Sequence, residues 1–362
     1  MRVLVVNTGS SSIKLAVVDE DDHVVAEEHI RDWGGDTDAL RGFLGRVEFD
    51  AVGHRVVHGG WELTESVRID DDVEDLLRQA APLAPLHQPR ALAGIDAVRE
   101  LLPVCPEVAC FDTSFHVDMP AASATYALPR EWRERFGIRR FGFHGLNHSY
   151  IATRTAQMLE RDVTGLRTVS CHLGSGASLC AIRDGRSVDT TMGFTPLEGL
   201  VMSTRAGSID PGIVTYLADQ QQMPLDEVLQ ALTKQSGLLG LSGVSGDLAK
   251  VVAACENGDG AADLAVEVYL HRLVSSIAGM AGGMGGMDAL VFTAGVGENA
   301  TWLRSDVARR LGFMGVAVDE GVNASASPDA DVTEPGALVH TLVVAAREDL
   351  QVARETRRVL GA

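Results

Sequence analysis

Three short segments rich in glycine and serine have the composition of loops that bind phosphate. They span residues 7–12, 172–178 and 293–299, and each follows a run of apolar residues typical of a β-strand. Glycine lets the backbone approach phosphate oxygens closely and donate N–H groups to them. None of the segments has the G-x-x-x-x-G-K-S/T pattern of a P-loop. One such segment is weak evidence, but three favour a bound nucleotide outside the P-loop class.

A cluster of polar residues follows the buried strand that we predict at residues 108–111. Asp112, Ser114 and His116 come just after its carboxyl end. In open α/β sheets, ligands bind in the crevice beyond the carboxyl ends of the strands. These residues are therefore candidates for a site at the edge of a sheet.

Two segments far apart in the chain share one pattern. Residues 3–19 and 168–185 each place apolar, β-branched runs on both sides of a glycine and serine turn, which predicts a β-hairpin. The segments align at Gly9 with Gly174, Ser10 with Ser175, and Asp19 with Asp184. A repeat at half the chain length is too long for a solenoid and favours a duplicated domain. The alternative is two unrelated hairpins of similar appearance.

The rest of the chain alternates predicted strands and helices. Proline bounds several helices, since it is tolerated in a first helical turn and ends a helix that precedes it. The predicted strands lie at residues 51–57, 108–111, 289–292 and 338–344, and the predicted helices at 71–81, 89–102, 149–159, 261–280 and 348–360. Strands followed by helices occur twice, which predicts an α/β protein of two related lobes with a cleft between them.

The length and the charge of the chain exclude several classes of protein. At 362 residues, the chain is longer than one hydrophobic core usually supports, which favours two domains. Its 50 acidic and 31 basic residues leave a net charge of −19, which repels nucleic acids and anionic lipids. We therefore expect no nucleic acid and no membrane among its partners.

The cysteines and the apolar runs set further limits. The five cysteines form no C-x-x-C pair, so we expect them to be reduced and mostly buried rather than in disulfides or a zinc site. The first apolar run ends too early for a signal peptide, and no stretch has the roughly 18 to 20 apolar residues that a membrane span needs. The expected location is the cytoplasm.

A set of separated motifs, in the right order, resembles the acetate kinase family, a member of the superfamily of acetate and sugar kinases, heat-shock chaperones and actin. The resemblance runs nearly end to end, from residue 3 to residue 360. The motifs are N-T-G-S-S-S-I-K at 7–14, G-H-R-V-V-H-G-G at 53–60, L-A-P-L-H-Q-P at 83–89, F-D-T-S-F-H at 111–116, F-G-F-H-G at 141–145, M-G-F-T-P-L-E-G-L at 192–200, T-R-A-G-S-I-D-P at 204–211, F-T-A-G-V-G-E-N at 292–299 and A-R-E-T at 353–356.

The resemblance implies two ribonuclease H-like lobes, as in actin-like ATPases. The N-terminal lobe would span residues 1–113 and be completed by 350–362, and the C-terminal nucleotide-binding and dimerisation lobe would span 114–349. The implied activity is the reversible, Mg²⁺-dependent transfer of the ATP γ-phosphoryl group to acetate, giving acetyl phosphate and ADP by direct in-line transfer. The resemblance also implies a homodimer, for which the apolar helix at 264–280 is the expected interface.

The implied catalytic residues suit phosphoryl transfer, which needs positioning and charge neutralisation more than covalent catalysis. The planar guanidinium groups of Arg55 and Arg205 can bridge a carboxylate and phosphoryl oxygens, and the resemblance gives both this role. It also implies that His144 contacts the phosphoryl group during transfer. His172 and His87 are expected to be further site histidines.

Oxygen ligands suited to Mg²⁺ or Mn²⁺ occur at several implied site positions. Asn7 and Glu348 are the expected metal-site residues. Asp112 is an expected catalytic residue, which either lies near the metal or orients an arginine. Ser10 and Ser12 are further expected site residues.

The resemblance further implies an acetate pocket and a nucleotide site. The pocket would be formed by Arg55 and by the apolar side chains of Val57, Leu86, Phe143 and Pro196. One methylene in such a pocket is worth only about 1–3 kcal/mol of discrimination, so propionate is an alternative substrate. The expected nucleotide-binding residues are Lys14, His172, Gly174, Ser175, Gly176, Asp247, Gly295, Val296, Gly297, Glu298 and Asn299.

Four residues depart from the family pattern on the nucleotide and phosphate side. Ser175 stands in place of the usual Asn, Ser203 in place of Gly, Ala249 in place of an Arg beside the adenosine, and Arg347 in place of Asn. One cationic contact is lost and another cation is added nearby. One alternative is therefore a phosphoryl donor other than ATP, such as another nucleoside triphosphate or pyrophosphate.

Another alternative comes from a different class of protein, an actin-like nucleotide-binding protein without kinase activity. Such a protein hydrolyses ATP with water and needs no carboxylate pocket. The residues that argue for a kinase instead are Arg55, His87, Asp112, His144, Arg205 and Glu348.

Overall fold

The computed structural model describes residues 1–9, 12–85 and 87–362. Two expected site residues, Ser10 and Leu86, lie outside the described residues. Across these ranges the chain folds into two β-sheets of six strands each, with helices packed on them. This architecture confirms the predicted α/β class.

The first sheet contains the first predicted hairpin. Its strands are β1 (Val3–Thr8), β2 (Ser12–Val18), β3 (Val24–Arg31), β4 (Ala51–Val56), β5 (Val67–Arg68) and β6 (Glu107–Phe111). Their order across the sheet is β3-β2-β1-β4-β6-β5. β1, β4 and β6 are parallel, whereas β2, β3 and β5 are antiparallel to their neighbours. The central strands β1 and β6 have runs of buried apolar residues, as parallel strands covered on both faces require.

The second sheet contains the second predicted hairpin. Its strands are β7 (Arg167–Leu173), β8 (Ala177–Arg183), β9 (Arg186–Thr190), β10 (Ala289–Thr293), β11 (Ala330–Asp331) and β12 (His340–Val343). Their order is β11-β12-β10-β7-β8-β9. The last strand begins two residues later than the sequence predicts.

The two sheets have the same topology, strand for strand. Read from its other edge, the second sheet follows the first when β7 replaces β1, β8 replaces β2 and so on through β12. Each pairing also keeps its parallel or antiparallel sense. Asn7 pairs with Arg55 in the first sheet, and His172 pairs with Thr293 at the equivalent place in the second. The predicted internal repeat is confirmed.

Acidic residues cap many of the helices. The aspartates at 36, 70, 210, 247, 259 and 319 each accept a hydrogen bond from a backbone N–H of the first turn. The helices of the described residues are α1 (Thr37–Leu44), α2 (Asp71–Gln79), α3 (Gln88–Leu101), α4 (Ala121–Ala124), α5 (Arg130–Phe136), α6 (Gly145–Met158), α7 (Pro211–Thr215), α8 (Leu225–Lys234), α9 (Gly237–Ser242), α10 (Leu248–Glu256), α11 (Gly260–Met284), α12 (Ala294–Asn299), α13 (Thr301–Arg310), α14 (Glu320–Ser325) and α15 (Glu348–Leu360).

Helices α6 and α15 pack between the two sheets. Their apolar side chains form one buried cluster with side chains of both sheets, among them Val5 and Val291. The last helix, α15, lies against β1, β4 and β6 of the first sheet. Arg357 near its end donates to the carbonyl of Met1 and to Asp22. The division of the chain at 113 and 114, with 350–362 joining the first lobe, remains a prediction.

Two local predictions were wrong. The glycine-rich segment 293–299 is the short helix α12 rather than an open turn, because buried Arg304 donates to the carbonyls of Gly297 and Glu298 at its end, each at 2.9 Å. Helix α6 begins at Gly145 rather than at residue 149, because the N–H of Gly145 donates to the carbonyl of Asp112 at 2.8 Å.

The predicted state of the cysteines agrees with the structure. All five are free, and three of them are buried. Among the described residues, no helix combines the length and the apolarity that crossing a membrane requires.

Gly53 provides a test of how closely α15 packs on the first sheet. A Cβ at this position would overlap the hydroxyl of Thr356 and lie 2.7 Å from Cγ1 of Val352, both on α15. We expect Gly53→Ala to lower the free energy of unfolding by about 1–3 kcal/mol, because a well-packed core resists added volume. Urea denaturation measures this.

Gly42 is the matched control. It lies exposed inside α1, and a Cβ there would meet no atom within 4 Å. Gly42→Ala should leave stability unchanged or raise it by about 0.5–1 kcal/mol, because alanine favours the helix. Equal stability of the two variants would contradict the close packing of α15.

Candidate functional site

A cavity of about 880 Å³ lies between the two lobes and is lined by residues from both. The β1–β2 and β7–β8 turns, which the sequence predicts to approach phosphate, both reach it. Expected site residues that line it are Asn7, Ser12, Lys14, Arg55, His144, His172, Gly174, Ser175, Gly176, Gly295, Glu298 and Glu348. The structure therefore brings half of the residues singled out from the sequence to one cavity.

Arg55 is the centre of an ion-pair network on one wall of the cavity. It lies in β4, and its Nε and Nη2 donate to the two carboxylate oxygens of Asp112 at 3.1 and 2.7 Å. Its Nη1 lies 2.8 Å from Oε2 of Glu348, the first residue of α15, and 3.4 Å from Oδ1 of Asn7. The guanidinium is thus held in one orientation by three different elements.

The charge of Arg55 is fixed by its neighbours. Burial alone would lower its pKa, but the carboxylates of Asp112 and Glu348 raise the pKa above the ordinary value. Arg55 therefore remains a cation, although only 18% of its side chain is exposed.

The geometry of Asp112 favours one of its two predicted roles. Its side chain is only 2% exposed, and both oxygens are engaged by Arg55. A carboxylate used in this way orients an arginine, which favours this role over that of a metal ligand.

His144 enters the cavity from the start of α6. Its backbone is left-handed, with φ of 55°, which is uncommon for a residue with a side chain. Its Nδ1 lies 2.9 Å from Oγ of Ser178, and its ring stacks on that of His172 with centroids 4.1 Å apart. The Nδ1 of His172 lies in turn 2.9 Å from the side-chain amide of Asn147.

The imidazoles in this cluster are neutral at physiological pH. Burial lowers the pKa of His172 from 6.5 to about 4, and the charge of Arg55 adds to the effect. Burial likewise lowers the pKa of His144 well below its ordinary value, with His172 and Arg55 contributing. Neutral histidines can donate one hydrogen bond each without adding charge.

Arg205 approaches from the second lobe. Its Nη2 lies 3.2 Å from Nε2 of His87 in the first lobe, and its Nη1 donates to the carbonyl of Pro196 at 3.2 Å. A Cβ on Gly176 would lie 3.6 Å from this Nη1 and 3.5 Å from Nε2 of His144. Arg205 and His144 therefore flank the same glycine, and the contact of Arg205 with His87 links the two lobes of the site.

Only some of the residues expected to form the acetate pocket line a cavity. Pro196 lines a separate cavity of about 540 Å³, together with His87 and Arg205. Phe143 is 1% exposed and belongs to the core of the second lobe, and Val57 is half-buried and packs against that core. Arg55, by contrast, lines the main cavity.

A second cavity, of about 630 Å³, shares Gly174, Ser175 and Gly295 with the main one. Three more of the expected nucleotide residues line it, namely Asp247, Val296 and Asn299. Asp247 also caps α10, so one of its oxygens is already bonded to a backbone N–H.

Three of the four departures from the family pattern lie together in this second cavity. Ser175, Ser203 and Ala249 line it, and the N–H of Ser203 donates to the carbonyl of Ser175 at 3.2 Å. Arg347, the fourth, is exposed and lines none of the three cavities. The added cation therefore does not replace the arginine missing at Ala249.

Gly297 is the one expected nucleotide residue that lines none of these cavities. A Cβ there would lie 3.2 Å from the backbone carbon of Phe292, and its own carbonyl accepts from Arg304. Its position is explained by the packing of α12 on β10.

The oxygen donors of Asn7 and Glu348 suit the predicted metal site. Glu348 and Asn7 line the cavity with 3.5 Å between Asn7 Nδ2 and Glu348 Oε2. Among the described residues, no group of three or more His, Cys, Asp or Glu forms a cage for a metal. Mg²⁺ suits such a sparse set, because it usually keeps water and binds substrate phosphates in addition to one or two protein oxygens.

The polar side chains behind the two stacked histidines were not predicted from the sequence. Ser178 and Ser170 of the second sheet and His148 and Asn147 of α6 are fully buried and hydrogen-bonded around them. His144 immediately precedes α6 with a left-handed backbone and His148 lies in its first turn, so no helical spacing in the sequence indicates this cluster.

The chain is similar to known acetate kinases. The profile of the Acetokinase family matches residues 44–354. An acetate kinase of Acetivibrio thermocellus is 40% identical over 396 aligned positions, which cover 99% of both chains. An acetate kinase of Gloeobacter violaceus is 49% identical over 309 positions, covering 85% of this chain and 76% of the relative.

Solved structures that resemble this fold also belong to acetate and propionate kinases. The acetate kinase of Porphyromonas gingivalis superposes with a TM-score of 0.91 at 35% identity, covering 99% of both chains. A propionate kinase of Francisella tularensis gives a TM-score of 0.92 at 34% identity, with the same coverage. The two-lobe fold of these enzymes is the fold of this chain.

The buried histidines predict a loss of stability in mild acid. Burial lowers the pKa of His58, His116 and His172 from 6.5 to about 4. Between these values the unfolded chain binds protons that the folded protein does not. The free energy of unfolding should therefore fall as the pH decreases from about 6.5 to about 4, by about 1.4 kcal/mol per pH unit for each such histidine.

Urea denaturation at several pH values measures the slope. His116 is fully buried, so His116→Gln should reduce the slope by about 1.4 kcal/mol per pH unit. A free energy of unfolding that stayed constant or rose between pH 6.5 and 5 would contradict the neutral state of these residues.

Proposed function

Because the chain belongs to the acetokinase family, we propose that the cleft between its lobes is the active site for the family's reaction. The chain is a kinase that phosphorylates a carboxylate, and its relatives bear the name acetate kinase. The reaction forms a bond between an acetate oxygen and the γ-phosphorus of ATP and breaks the bond from that phosphorus to the β,γ-bridging oxygen. The products are acetyl phosphate and ADP.

One observation carries this proposal, the convergence of two arginines and a neutral histidine on one cleft. Arg55 of the first lobe and His144 of the second line the cleft, and Nη1 of Arg205, also from the second lobe, lies beside Gly176 in the cleft wall. Phosphoryl transfer spreads negative charge over the equatorial oxygens, and fixed donors at such a place stabilise that charge without reorganisation.

Acetate binding is assigned to the arginines and the apolar residues beside them. The carboxylate of acetate faces Arg55, whose orientation is set by Asp112. Arg205 faces the phosphoryl oxygens and the acetate from the opposite side. Val57, Phe143 and Pro196 surround the methyl group. The two cations offset the repulsion between the carboxylate and the phosphates.

His144 donates a hydrogen bond from Nε2 to an equatorial oxygen of the phosphoryl group in transfer. Its low pKa keeps it neutral, so it stabilises charge by donation rather than as a cation. The proposed transfer is direct and in line, because this arrangement provides donors for the phosphoryl oxygens and needs no covalent intermediate on the enzyme.

Mg²⁺, or Mn²⁺, would be held by Asn7 and Glu348 together with phosphate oxygens and water. When bound, the metal neutralises phosphate charge and orients the phosphates. Glu348 also touches Arg55, so the metal site and the acetate site share one carboxylate.

ATP is assigned to the two continuous cavities. Its phosphates lie along the β1–β2 and β7–β8 turns, with Lys14, Gly174 and Gly176 near them. Its adenosine lies in the second cavity, near Asp247 and Asn299. Closure of the two lobes on the substrates would exclude water and so protect ATP from hydrolysis.

A homodimer and a cytoplasmic location complete the proposal. The proposed dimer interface is the helix segment 264–280 of α11, at whose start Leu264 is exposed.

Propionate is the nearest alternative substrate. The similarity to a propionate kinase supports it, since that enzyme shares the fold at 34% identity. Acetate is favoured by the larger set of relatives named acetate kinase. A non-kinase, actin-like function has no such relative among those described above.

Acetyl phosphate formation tests the proposal. The enzyme with acetate, ATP and Mg²⁺ should yield acetyl hydroxamate when hydroxylamine is added. Arg205→Ala should lower kcat by about 100-fold or more, because a fixed donor to the transition state is lost. Arg55→Lys should also lower activity, since lysine cannot bond both oxygens of Asp112.

Arg130→Ala is the control, because Arg130 is exposed and, among the described residues, forms an ion pair only with Glu134 of its own helix. It should retain full activity. No hydroxamate from the wild type, or equal activity in the Arg205 and Arg130 variants, would overturn the assignment.

A donor panel tests the alternative that Ala249 motivates. With acetate and Mg²⁺, ATP should give higher kcat/KM than GTP or pyrophosphate. Ala249→Arg should lower the KM for ATP, because a guanidinium is added to the adenosine cavity. Turnover with pyrophosphate that exceeds turnover with ATP would instead show that the donor is not a nucleotide.

A further inference from the structure

A single serine hydroxyl connects His144, which immediately precedes α6, with His148 in the first turn of α6. The Oγ of Ser178 lies 2.9 Å from Nδ1 of His144 and 2.8 Å from Nε2 of His148. The other nitrogen of His148, Nδ1, lies 2.9 Å from Oγ of Ser170. Ser178, His148 and Ser170 are all fully buried. The chain of contacts thus runs from the protein interior to the ring of His144, which lines the cleft.

The number of protons available to these four side chains couples the directions of their hydrogen bonds. A hydroxyl has one proton, so Ser178 donates to one histidine and accepts from the other. Burial lowers the pKa of both His144 and His148 well below the ordinary value, so each ring is neutral and carries one N–H. Only two arrangements satisfy every contact, and they differ in the direction of all the hydrogen bonds.

In the outward arrangement, Ser170 donates to His148, His148 donates to Ser178, and Ser178 donates to Nδ1 of His144. The proton of His144 is then on Nε2, at the cleft. In the inward arrangement every bond is reversed, and His144 presents a lone pair to the cleft.

Ser170 favours the outward arrangement. Within the described part of the chain, its hydroxyl has one side-chain partner, Nδ1 of His148. In the inward arrangement this hydroxyl would accept from His148, and its own proton would be buried without an acceptor. In the outward arrangement only an acceptor lone pair is unused. A buried donor without a partner is the costlier defect.

We propose that Ser178 is a positioning residue, which, with His148 and Ser170, holds His144 as the tautomer that carries its proton on Nε2. The proposal rests on the proposed function, in which His144 donates to the phosphoryl group in transfer. The other tautomer would direct a lone pair at an anionic oxygen, which repels it. Ser178 acts through His144 and does not itself reach the substrate.

Ser178→Ala tests this role by two independent measurements. The first is ¹⁵N NMR of histidine-labelled enzyme, with the signals of His144 assigned from a His144→Gln spectrum. The wild type should show the proton on Nε2, and Ser178→Ala should show a mixture of tautomers. The second is kinetic: kcat should fall about 10- to 100-fold, the effect of one lost buried hydrogen bond, with the KM for acetate and ATP nearly unchanged.

Two further variants separate positioning from folding. Ser178→Thr keeps the hydroxyl and should restore the Nε2–H tautomer and most of kcat. Ser187→Ala removes another buried serine hydroxyl that contacts a histidine. The Oγ of Ser187 lies 2.7 Å from Nδ1 of His116, and this pair is not part of the series of contacts to His144. Ser187→Ala should lower thermal stability about as much as Ser178→Ala and leave kcat and the tautomer of His144 unchanged.

The outcomes also distinguish this proposal from the proposed function. A wild-type spectrum with the proton of His144 on Nδ1, or an unchanged tautomer in Ser178→Ala, overturns the positioning role even if the enzyme makes acetyl phosphate. Equal losses of kcat in Ser178→Ala and Ser187→Ala also overturn it. A wild type that forms no acetyl phosphate overturns the proposed function, whatever the spectrum shows.

Discussion

The buried cation Arg55 is the constraint on which the rest of the site depends. A buried guanidinium is stable only when opposite charges compensate it, and removal of one partner leaves an unpaired buried charge. Asp112 at the end of β6 and Glu348 at the start of α15 provide that compensation. α15 reaches this position because Gly53, two residues before Arg55 on the same strand, lets it lie directly on β4. The close packing of the last helix and the charge of the site are therefore one requirement.

The cleft contains the buried cation Arg55 although the protein as a whole carries a large negative charge. A net charge of −19 repels ATP and acetate, so positive potential must be supplied locally. Arg55 and Arg205 supply it, while the histidines near them are kept neutral by burial and by those same cations. The site thus separates two tasks: the arginines neutralise charge, and the imidazoles provide directed donors.

Much of the fold follows from local patterns in the sequence. Both hairpins, the strand that carries Arg55 and the closing helix occur where periodicity and turn residues predict them. The segment 293–299 was misjudged because its glycines indicate a turn, whereas the contact that makes it helical comes from Arg304, whose own role depends on the tertiary fold. Most local elements are determined by residues close to them in the sequence. The partners of a buried cation such as Arg304 are determined by the tertiary fold.

The same limit applies to the site. The family resemblance indicated Arg55, His144 and Glu348, and the structure brings them to one cavity. The role of Asp112 could not be decided from the sequence, because it depends on which atoms its two oxygens meet. The sequence does not indicate a role for Ser178, because a serine in a strand is common. Its role depends on its distances to two histidines.

The matching topology of the two sheets has a consequence for how such a site arises. Asn7 beside Arg55 in one sheet corresponds to His172 beside Thr293 in the other, so the cleft is bounded by two versions of the same strand ends. Gene duplication followed by divergence produces this arrangement. At these equivalent strand ends the two halves differ: the first carries the cation Arg55, and the second carries the uncharged ring of His172. The site is therefore asymmetric, although the two sheets that bound it have the same topology.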